Sequence, residues 1–130
     1  MSLNRFLALS AALIFGGWIQ AADHTKDSPA TVMKAVAEGK AVLLDVREAE
    51  EWKEGHLKVA GHLALSQLRA GAAAEKLKAV VPPGKVVYLH CAAGSRSLTA
   101  AKLLMSSGYD IRPLKPGYND LLKAGFEKAR

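Results

Sequence analysis

A single cysteine lies in a short stretch of sequence whose residue types could carry out nucleophilic chemistry. Residues 90–97 are "HCAAGSRS". They connect the apolar run "VVYLH", which ends at His90, to the helix-like segment "SLTAAKLLMSSGYD", which begins at Ser97. A cysteine between a strand and a helix lies near free backbone N–H groups and the partial positive charge of the helix N-terminus. Both stabilise a thiolate relative to a thiol. We therefore predict that Cys91 is a nucleophile and not an inert core cysteine, which is the commoner role of a free thiol.

The residues after the cysteine are suited to binding an anion. A tight loop from Cys91 to Arg96 would turn several backbone N–H groups inward. Its alanines are small and leave the mouth open, its glycine permits a positive φ, and its arginine offers a fork of donors for oxyanions. Each residue alone also fits an ordinary turn, cap or surface position, but their order after a buried strand favours the functional interpretation. The candidate substrate-binding residues are Ala92, Ala93, Gly94, Ser95 and Arg96.

The histidines are not expected to take part in the chemistry. If strand alternation continues up to Cys91, the side chain of His90 points away from the thiol, which predicts a buried structural residue. His56 and His62 are six positions apart in a turn region, and this spacing does not form a metal-binding motif. No metal site is therefore expected, and Trp52 is expected to be a packing anchor.

The elements that must position the loop alternate between helices and short apolar strands. The segment "SPATVMKAVAEGK" has Ser28 as a potential N-cap and Pro29 at the first helical position. Strands are predicted at "AVLLDVRE", "HLAL" and "VVYLH", with a short fourth strand in "IRPLKPGY". Single helices are predicted over "SQLRAGAAAEKLKAVV" and "YNDLLKAGFEKA". This order predicts an α/β fold with a parallel sheet flanked by helices on both faces.

Chemistry in such a sheet gathers at the carboxyl ends of the strands. Cys91 follows one predicted strand, and Asp45 and Arg47 follow another. These last two are supporting candidates that could line the pocket. A structural role is favoured for them, in which Arg47 pairs with a carboxylate such as Glu51 or Glu54 and fixes the strand end.

Length and charge narrow the classes of function. The 130 residues suffice for one domain, and the formal charge of +6 is spread along the chain without a basic block. Aromatic residues make up only 6%, so the basic stripe with interleaved aromatics that a nucleic-acid interface needs is missing. The favoured interpretation of this charge is a solvated basic surface, and the alternative is a positive field that attracts small anions. We expect no nucleic-acid partner and, without a coiled-coil pattern, a monomer.

The first residues have the pattern of a secretory signal. Arg5 precedes the uncharged segment "FLALSAALIFGGWIQAA", which ends in small residues before Asp23. We predict a signal peptide over residues 1–22 and a mature domain over residues 23–130, with a periplasmic location and no stable membrane association after cleavage. The alternative is an uncleaved anchor, although the apolar run is slightly shorter than the roughly 20 residues that a spanning helix needs.

Three segments of the mature chain resemble the rhodanese (sulfurtransferase) family, in the form of a single exported domain. "LLDVREAEEWKEGH" is similar to its Asp-x-Arg segment, "HCAAGSRS" to its Cys-x-x-Gly-x-Arg loop, and "LKPGYNDLLKAGF" to its closing segment. The chain departs from the family at several positions, with Pro116 for the first glycine of a Gly-Gly pair and His62 where asparagine is common. These departures lie outside the cysteine loop.

The resemblance implies a two-step sulfur transfer. Cys91 takes the outer sulfur of thiosulfate or a similar small anionic donor as a persulfide, and then passes it to cyanide or a thiol acceptor. It implies no metal and no organic cofactor. Two alternatives remain open: a persulfide carrier for a partner protein, and a cysteine phosphatase or arsenate reductase. Relatives with the latter activities use a loop one residue longer, because a phosphoryl group needs a wider cradle than one sulfur atom.

Overall fold

A computed structural model describes residues 23–130, which contain one four-stranded parallel sheet. The predicted signal peptide, residues 1–22, lies outside the described residues. The strands are β1 Ala41–Asp45, β2 Ala60–His62, β3 Val86–His90 and β4 Asp110–Pro113, and their order in the sheet is β2-β1-β3-β4. The helices are α1 Pro29–Ala37, α2 Ala49–Glu54, α3 Leu65–Arg69, α4 Ala73–Val80, α5 Ser95–Leu104, which continues into the 3₁₀ turn Met105–Ser107, and α6 Tyr118–Lys123.

Each face of the sheet carries its own apolar core. Helices α3, α4 and α5 bury side chains such as Leu68, Leu77 and Leu104 against one face. Helices α1 and α6 bury Val32 and Leu121 against the other face. The predicted parallel sheet with helices on both faces is therefore confirmed, and the nearly continuous apolar character of β1 and β3 follows from burial on both sides.

The first helix begins as its sequence predicts. Ser28 is the N-cap, and its hydroxyl oxygen accepts a hydrogen bond from the backbone N–H of Thr31 at 3.1 Å. Pro29 occupies the first helical position, where its missing N–H costs nothing.

The segment predicted as one helix over "SQLRAGAAAEKLKAVV" is instead two helices. Helix α3 ends at Arg69, and the chain turns through Gly71 and Ala72, with φ angles of +114° and +53°, before α4 begins. Leu68 and Leu77 are nine positions apart, which would place them on opposite sides of one continuous helix. The break allows both leucines to face the same core.

Two further boundaries differ from the sequence prediction. The strand expected at "HLAL" lies earlier, at Ala60–His62, and the leucines after it enter the core from the connection and from α3. The helix-like segment that begins at Ser97 does not stay α-helical to its end: after Leu104 it tightens into a 3₁₀ turn, where Met105 is 47% exposed.

The register of the sheet brings the predicted site residues to one edge. Asp45 and His90 are paired neighbours at the carboxyl ends of β1 and β3, and Cys91 follows directly. Leu89 and Cys91 belong to one core and Tyr88 to the other, as the alternation of a strand requires. Within residues 23–130, no helix combines the length and the apolar character needed to cross a membrane.

Candidate active site

The sulfur of Cys91 lies inside the loop that connects β3 to α5. Cys91 is fully buried, and its Sγ accepts hydrogen bonds from the backbone N–H groups of Gly94, at 3.1 Å, and Ser97, at 3.4 Å. Two N–H groups directed at one sulfur stabilise negative charge on it. Ser97 was not among the predicted site residues. Its contact with the sulfur is made by its backbone N–H in the first turn of α5, which the residue type could not indicate.

The loop residues predicted to surround the sulfur occupy the rim and one wall of the cradle. Ala92, Ala93 and Ser95 are exposed, and Gly94 is buried. Gly94 has a φ of +94°, the positive value predicted from its glycine, and a Cβ there would lie 2.8 Å from the carbonyl oxygen of Lys115. Only glycine therefore fits this turn without strain.

A second segment, residues 114–118, closes against the loop. A Cβ on Gly117 would lie 1.8 Å from the carbonyl oxygen of Ala92, so the two backbones are in direct contact. The backbone N–H of Tyr118 donates to the carbonyl oxygen of Cys91 at 2.9 Å. The Ser97 hydroxyl lies 2.9 Å from the carbonyl oxygens of both Gly94 and Leu114, and so joins loop and segment.

The start of the described chain also reaches the loop. His24 places Nε2 at 2.7 Å from the carbonyl oxygen of Gly94, and the N–H of Thr25 donates to Pro113 at 2.8 Å. The sequence did not predict this contact, because His24 and Gly94 are 70 positions apart and no local pattern connects them.

Arg96 is held by a carboxylate. Its two terminal nitrogens donate to the Glu51 carboxylate at 2.7 and 2.8 Å, which is the bidentate geometry that guanidinium favours. Hydrogen bonds from Arg96 lower the pKa of Glu51 from its ordinary 4.5 to about 2, and the same pair raises the pKa of Arg96. An oxyanion that binds to Arg96 must therefore compete with Glu51.

Asp45 and Arg47 form a buried ion pair with each other. The Arg47 guanidinium donates to the Asp45 carboxylate at 2.8 to 3.0 Å and to the carbonyl oxygen of Gly55 at 2.8 Å. The prediction that Arg47 pairs with Glu51 or Glu54 was wrong. Arg47 pairs with Asp45, and Glu51 is bound by Arg96. Asp45 is fully buried and Arg47 is 5% exposed, so the pair braces the strand ends beneath the site and does not present charge to solvent.

His90 is buried, as predicted, and does not contact the sulfur. Its Nδ1 lies 3.4 Å from the backbone oxygen of Cys91, and its Nε2 lies 3.7 Å from the Asp45 carboxylate, beyond hydrogen-bond distance. Burial lowers the pKa of His90, so the neutral imidazole is favoured. The ring therefore supports the strand end from below and is not placed to act as a base for Cys91.

Trp52 anchors the neighbouring turn by stacking. Its ring lies 3.5 Å from that of His56 and 4.7 Å from that of His62, both nearly parallel. In the part of the chain that the structure describes, no three histidine, cysteine or carboxylate side chains come together as metal ligands would.

A parallel α/β sheet with a cysteine loop at its carboxyl edge defines a class of small thiol-based domains, and comparison with known proteins identifies the family. The family model described as Rhodanese-like domain matches residues 28–124, and the chain belongs to this family.

Solved structures share the fold. A rhodanese-related protein from Thermoplasma volcanium is 26% identical, with a TM-score of 0.63, over 78% of this chain and 93% of that one. The human single-domain sulfurtransferase is 25% identical, with a TM-score of 0.58, over 75% of this chain and 97% of that one. Family and neighbours together support a function of the sulfur-transfer type.

A curated relative from Bacillus subtilis (strain 168), Uncharacterized protein YqhL, is 39% identical over 80 residues. The match covers 61% of this chain and 59% of the relative, so the chain spans less than two thirds of that protein's length.

Proposed function

We propose that the protein is a sulfurtransferase that carries a sulfane sulfur as a persulfide on Cys91. The observation that supports this most directly is the pair of backbone N–H groups that converge on the Cys91 sulfur at 3.1 and 3.4 Å. They stabilise the thiolate that attacks the donor. The loop from Cys91 to Arg96 is tight, which suits a single added sulfur atom better than a phosphoryl group.

The donor in this proposal is thiosulfate or a similar small anion. The Cys91 thiolate attacks the outer sulfur of thiosulfate, a new S–S bond forms, and the S–S bond within thiosulfate breaks. Sulfite leaves with the electron pair, and the persulfide anion on Cys91 keeps one negative charge. Atoms and charge balance without a metal, an organic cofactor or an external oxidant.

The second step regenerates the thiolate. Cyanide or a thiolate attacks the terminal sulfur of the persulfide, the S–S bond to Cys91 breaks, and the electron pair returns to the Cys91 sulfur. The N–H groups of Gly94 and Ser97 then stabilise the leaving thiolate, as they stabilise the attacking thiolate in the first step.

Donor entry requires local rearrangement. Cys91 has no exposed surface, and Arg96 is bound to Glu51. An anionic donor that displaces Glu51 from Arg96 gains a guanidinium contact at the rim of the loop, beside exposed Ala92 and Ala93. This exchange gives Arg96 its proposed substrate-binding role.

The proposal includes export. The amino-terminal pattern of residues 1–22 supports a signal peptide, which would deliver residues 23–130 to the periplasm as a monomeric single domain. A free thiol in an oxidising compartment needs protection, and the buried position of Cys91 provides it.

The test is the thiosulfate:cyanide sulfurtransferase activity of the protein and of Cys91→Ser. We expect the substitution to reduce thiocyanate formation to the uncatalysed rate, because this is the only cysteine in the chain. Far-UV circular dichroism and thermal unfolding should show that the variant keeps the fold. Activity that survives in a folded Cys91→Ser variant contradicts the proposed mechanism.

A further inference from the structure

A cleft of about 600 Å³ adjoins the cysteine loop. It lies between α3, the residue preceding α2 and the first turn of α5, and it is lined by Glu48, Leu65, Ser66, Arg69, Ala70 and Arg96. Its volume falls in the range of small-molecule sites, about 300–1,000 Å³. Arg96 belongs both to the cleft and to the loop that holds the sulfur, so a molecule in the cleft lies beside the candidate active site.

Two of the three charged residues in the lining are already engaged within the protein. Arg96 is bound to Glu51, and the Glu48 carboxylate accepts hydrogen bonds from both the backbone N–H and the hydroxyl of Ser66. Arg69 differs, because it is exposed and forms no salt bridge with any carboxylate of residues 23–130. Arg69 is therefore the charged group of the cleft that is available to a ligand.

We infer that the cleft binds the sulfur acceptor, that this acceptor is a small thiol bearing a carboxylate, and that Arg69 binds the carboxylate. The planar fork of a guanidinium matches the two oxygens of a carboxylate. The exposed Ala70, beside the nearly buried Leu65, adds apolar surface for the carbon chain between the carboxylate and the thiol. The inference rests on the proposed sulfurtransferase function.

The cleft suits the acceptor better than the donor. Thiosulfate has no carbon chain and would make no use of the apolar surface of the cleft. An organic thiol has a carbon chain that can lie against this surface. Its thiolate attacks the terminal sulfur of the Cys91 persulfide, the S–S bond to Cys91 breaks, and the acceptor leaves as an organic persulfide while the Cys91 thiolate is restored.

The experiment compares two small thiols that differ in the carboxylate, 3-mercaptopropionate and 2-mercaptoethanol, as acceptors for thiosulfate sulfur. Wild type, Arg69→Ala and Lys102→Ala are assayed, with each thiol compared only with itself across the proteins. Lys102→Ala removes an equivalent exposed charge from α5 outside the cleft lining. Mass spectrometry measures sulfur loading of Cys91 separately in each protein.

We expect Arg69→Ala to raise the KM for 3-mercaptopropionate about tenfold, the effect of losing one charge-assisted contact. The KM for 2-mercaptoethanol and the loading of Cys91 by thiosulfate should be unchanged, and Lys102→Ala should resemble wild type. If Cys91 loads normally but Arg69→Ala changes the KM for both thiols equally, or for neither, the inference about the acceptor site is wrong. The sulfurtransferase proposal then still stands. If wild type fails to load, the sulfurtransferase proposal itself is contradicted, and the acceptor site with it.

Discussion

At the scale of single residues, the ion pair between Arg96 and Glu51 determines how much positive charge the loop presents to a donor. The two side chains are 31% and 34% exposed, so water screens the pair and its energy is modest. Glu51 also accepts a hydrogen bond from the backbone N–H of Glu48 at 3.0 Å, which fixes the carboxylate at the start of α2. The pair therefore acts as a weak restraint that an anion can displace.

Replacement of the carboxylate should change how stability depends on pH. Arg96 lowers the pKa of Glu51 to about 2 in the folded protein, below its ordinary 4.5. The stabilisation is therefore fully present above about pH 4.5 and is lost as the pH falls towards 2. We expect Glu51→Gln to lower the free energy of unfolding by about 0.5–1 kcal/mol at pH 6, and the difference from wild type to shrink steadily at lower pH. Urea unfolding at pH 6, 4 and 2.5 measures it.

The matched control is Glu50→Gln, which removes a neighbouring exposed carboxylate that has no ion pair within residues 23–130. It should leave the free energy of unfolding close to that of wild type at pH 6. A Glu51→Gln effect that stays constant from pH 6 to pH 2.5 would show that the pair with Arg96 is not its source.

The site residues that the sequence could predict are those close to the cysteine along the chain. The nucleophile, the glycine with positive φ and the loop that follows all lie within six positions. Glu51, His24 and Gly117 were missed because they reach the loop only through the tertiary fold, from 25 to 70 positions away from their contact partners. Residue types alone could not show that Glu51 would pair with Arg96 in preference to Arg47.

At the scale of elements, the cradle depends on contact between the β3–α5 loop and residues 114–118. The contact is so close at Gly117 that no side chain fits, although the φ of this residue, −92°, is accessible to any amino acid. Gly117 is therefore required for space and not for backbone conformation.

Gly117→Ala should separate the two segments. The added methyl group overlaps the backbone of Ala92, which cannot yield as a flexible side chain would. We expect a loss of about 1–3 kcal/mol in the free energy of unfolding, and a large loss of sulfurtransferase activity because the loop is displaced. The control is Gly61→Ala, where the added methyl group meets only the end of Leu44 at 3.1 Å. Equal activity in the two variants would contradict this account of the contact.

The elements themselves were predictable wherever one strong pattern dominated. The apolar runs predicted β1 and β3 close to their observed bounds. The Ser-Pro pair predicted the start of α1. The break between α3 and α4 was not predicted, because alanine-rich sequence favours a continuous helix. The helix breaks because Leu68 and Leu77 must both be buried on the same side. This requirement follows from the tertiary fold, and the local sequence does not show it.

At the scale of the whole molecule, a small basic domain surrounds one buried thiol. The formal charge is +6, and removal of Arg5 with a signal peptide would leave +5 on the mature chain. A positive surface favours the approach of small anions such as the proposed donor. The tie between His24 and the cysteine loop also places the proposed mature N-terminus next to the site.

Expression in a Gram-negative host tests the export proposal. We expect the protein in the periplasmic fraction, with an N-terminus near Ala22 or Asp23 by Edman sequencing. A variant with Leu13→Arg, which interrupts the apolar segment, should remain in the cytoplasm at full length. Wild-type protein that keeps its first 22 residues and is extracted only by detergent would identify a membrane anchor instead.

The central claim, that the Cys91 sulfur accepts a sulfur atom, is tested most directly by intact-mass spectrometry after incubation with thiosulfate. We expect an adduct of about 32 Da, the mass of one sulfur atom, with release of an equivalent of sulfite. Peptide mapping should place it on Cys91, cyanide should remove it, and folded Cys91→Ser should not acquire it. Wild-type protein that gains no mass and releases no sulfite, or a Cys91→Ser variant that gains the same adduct, would contradict the account.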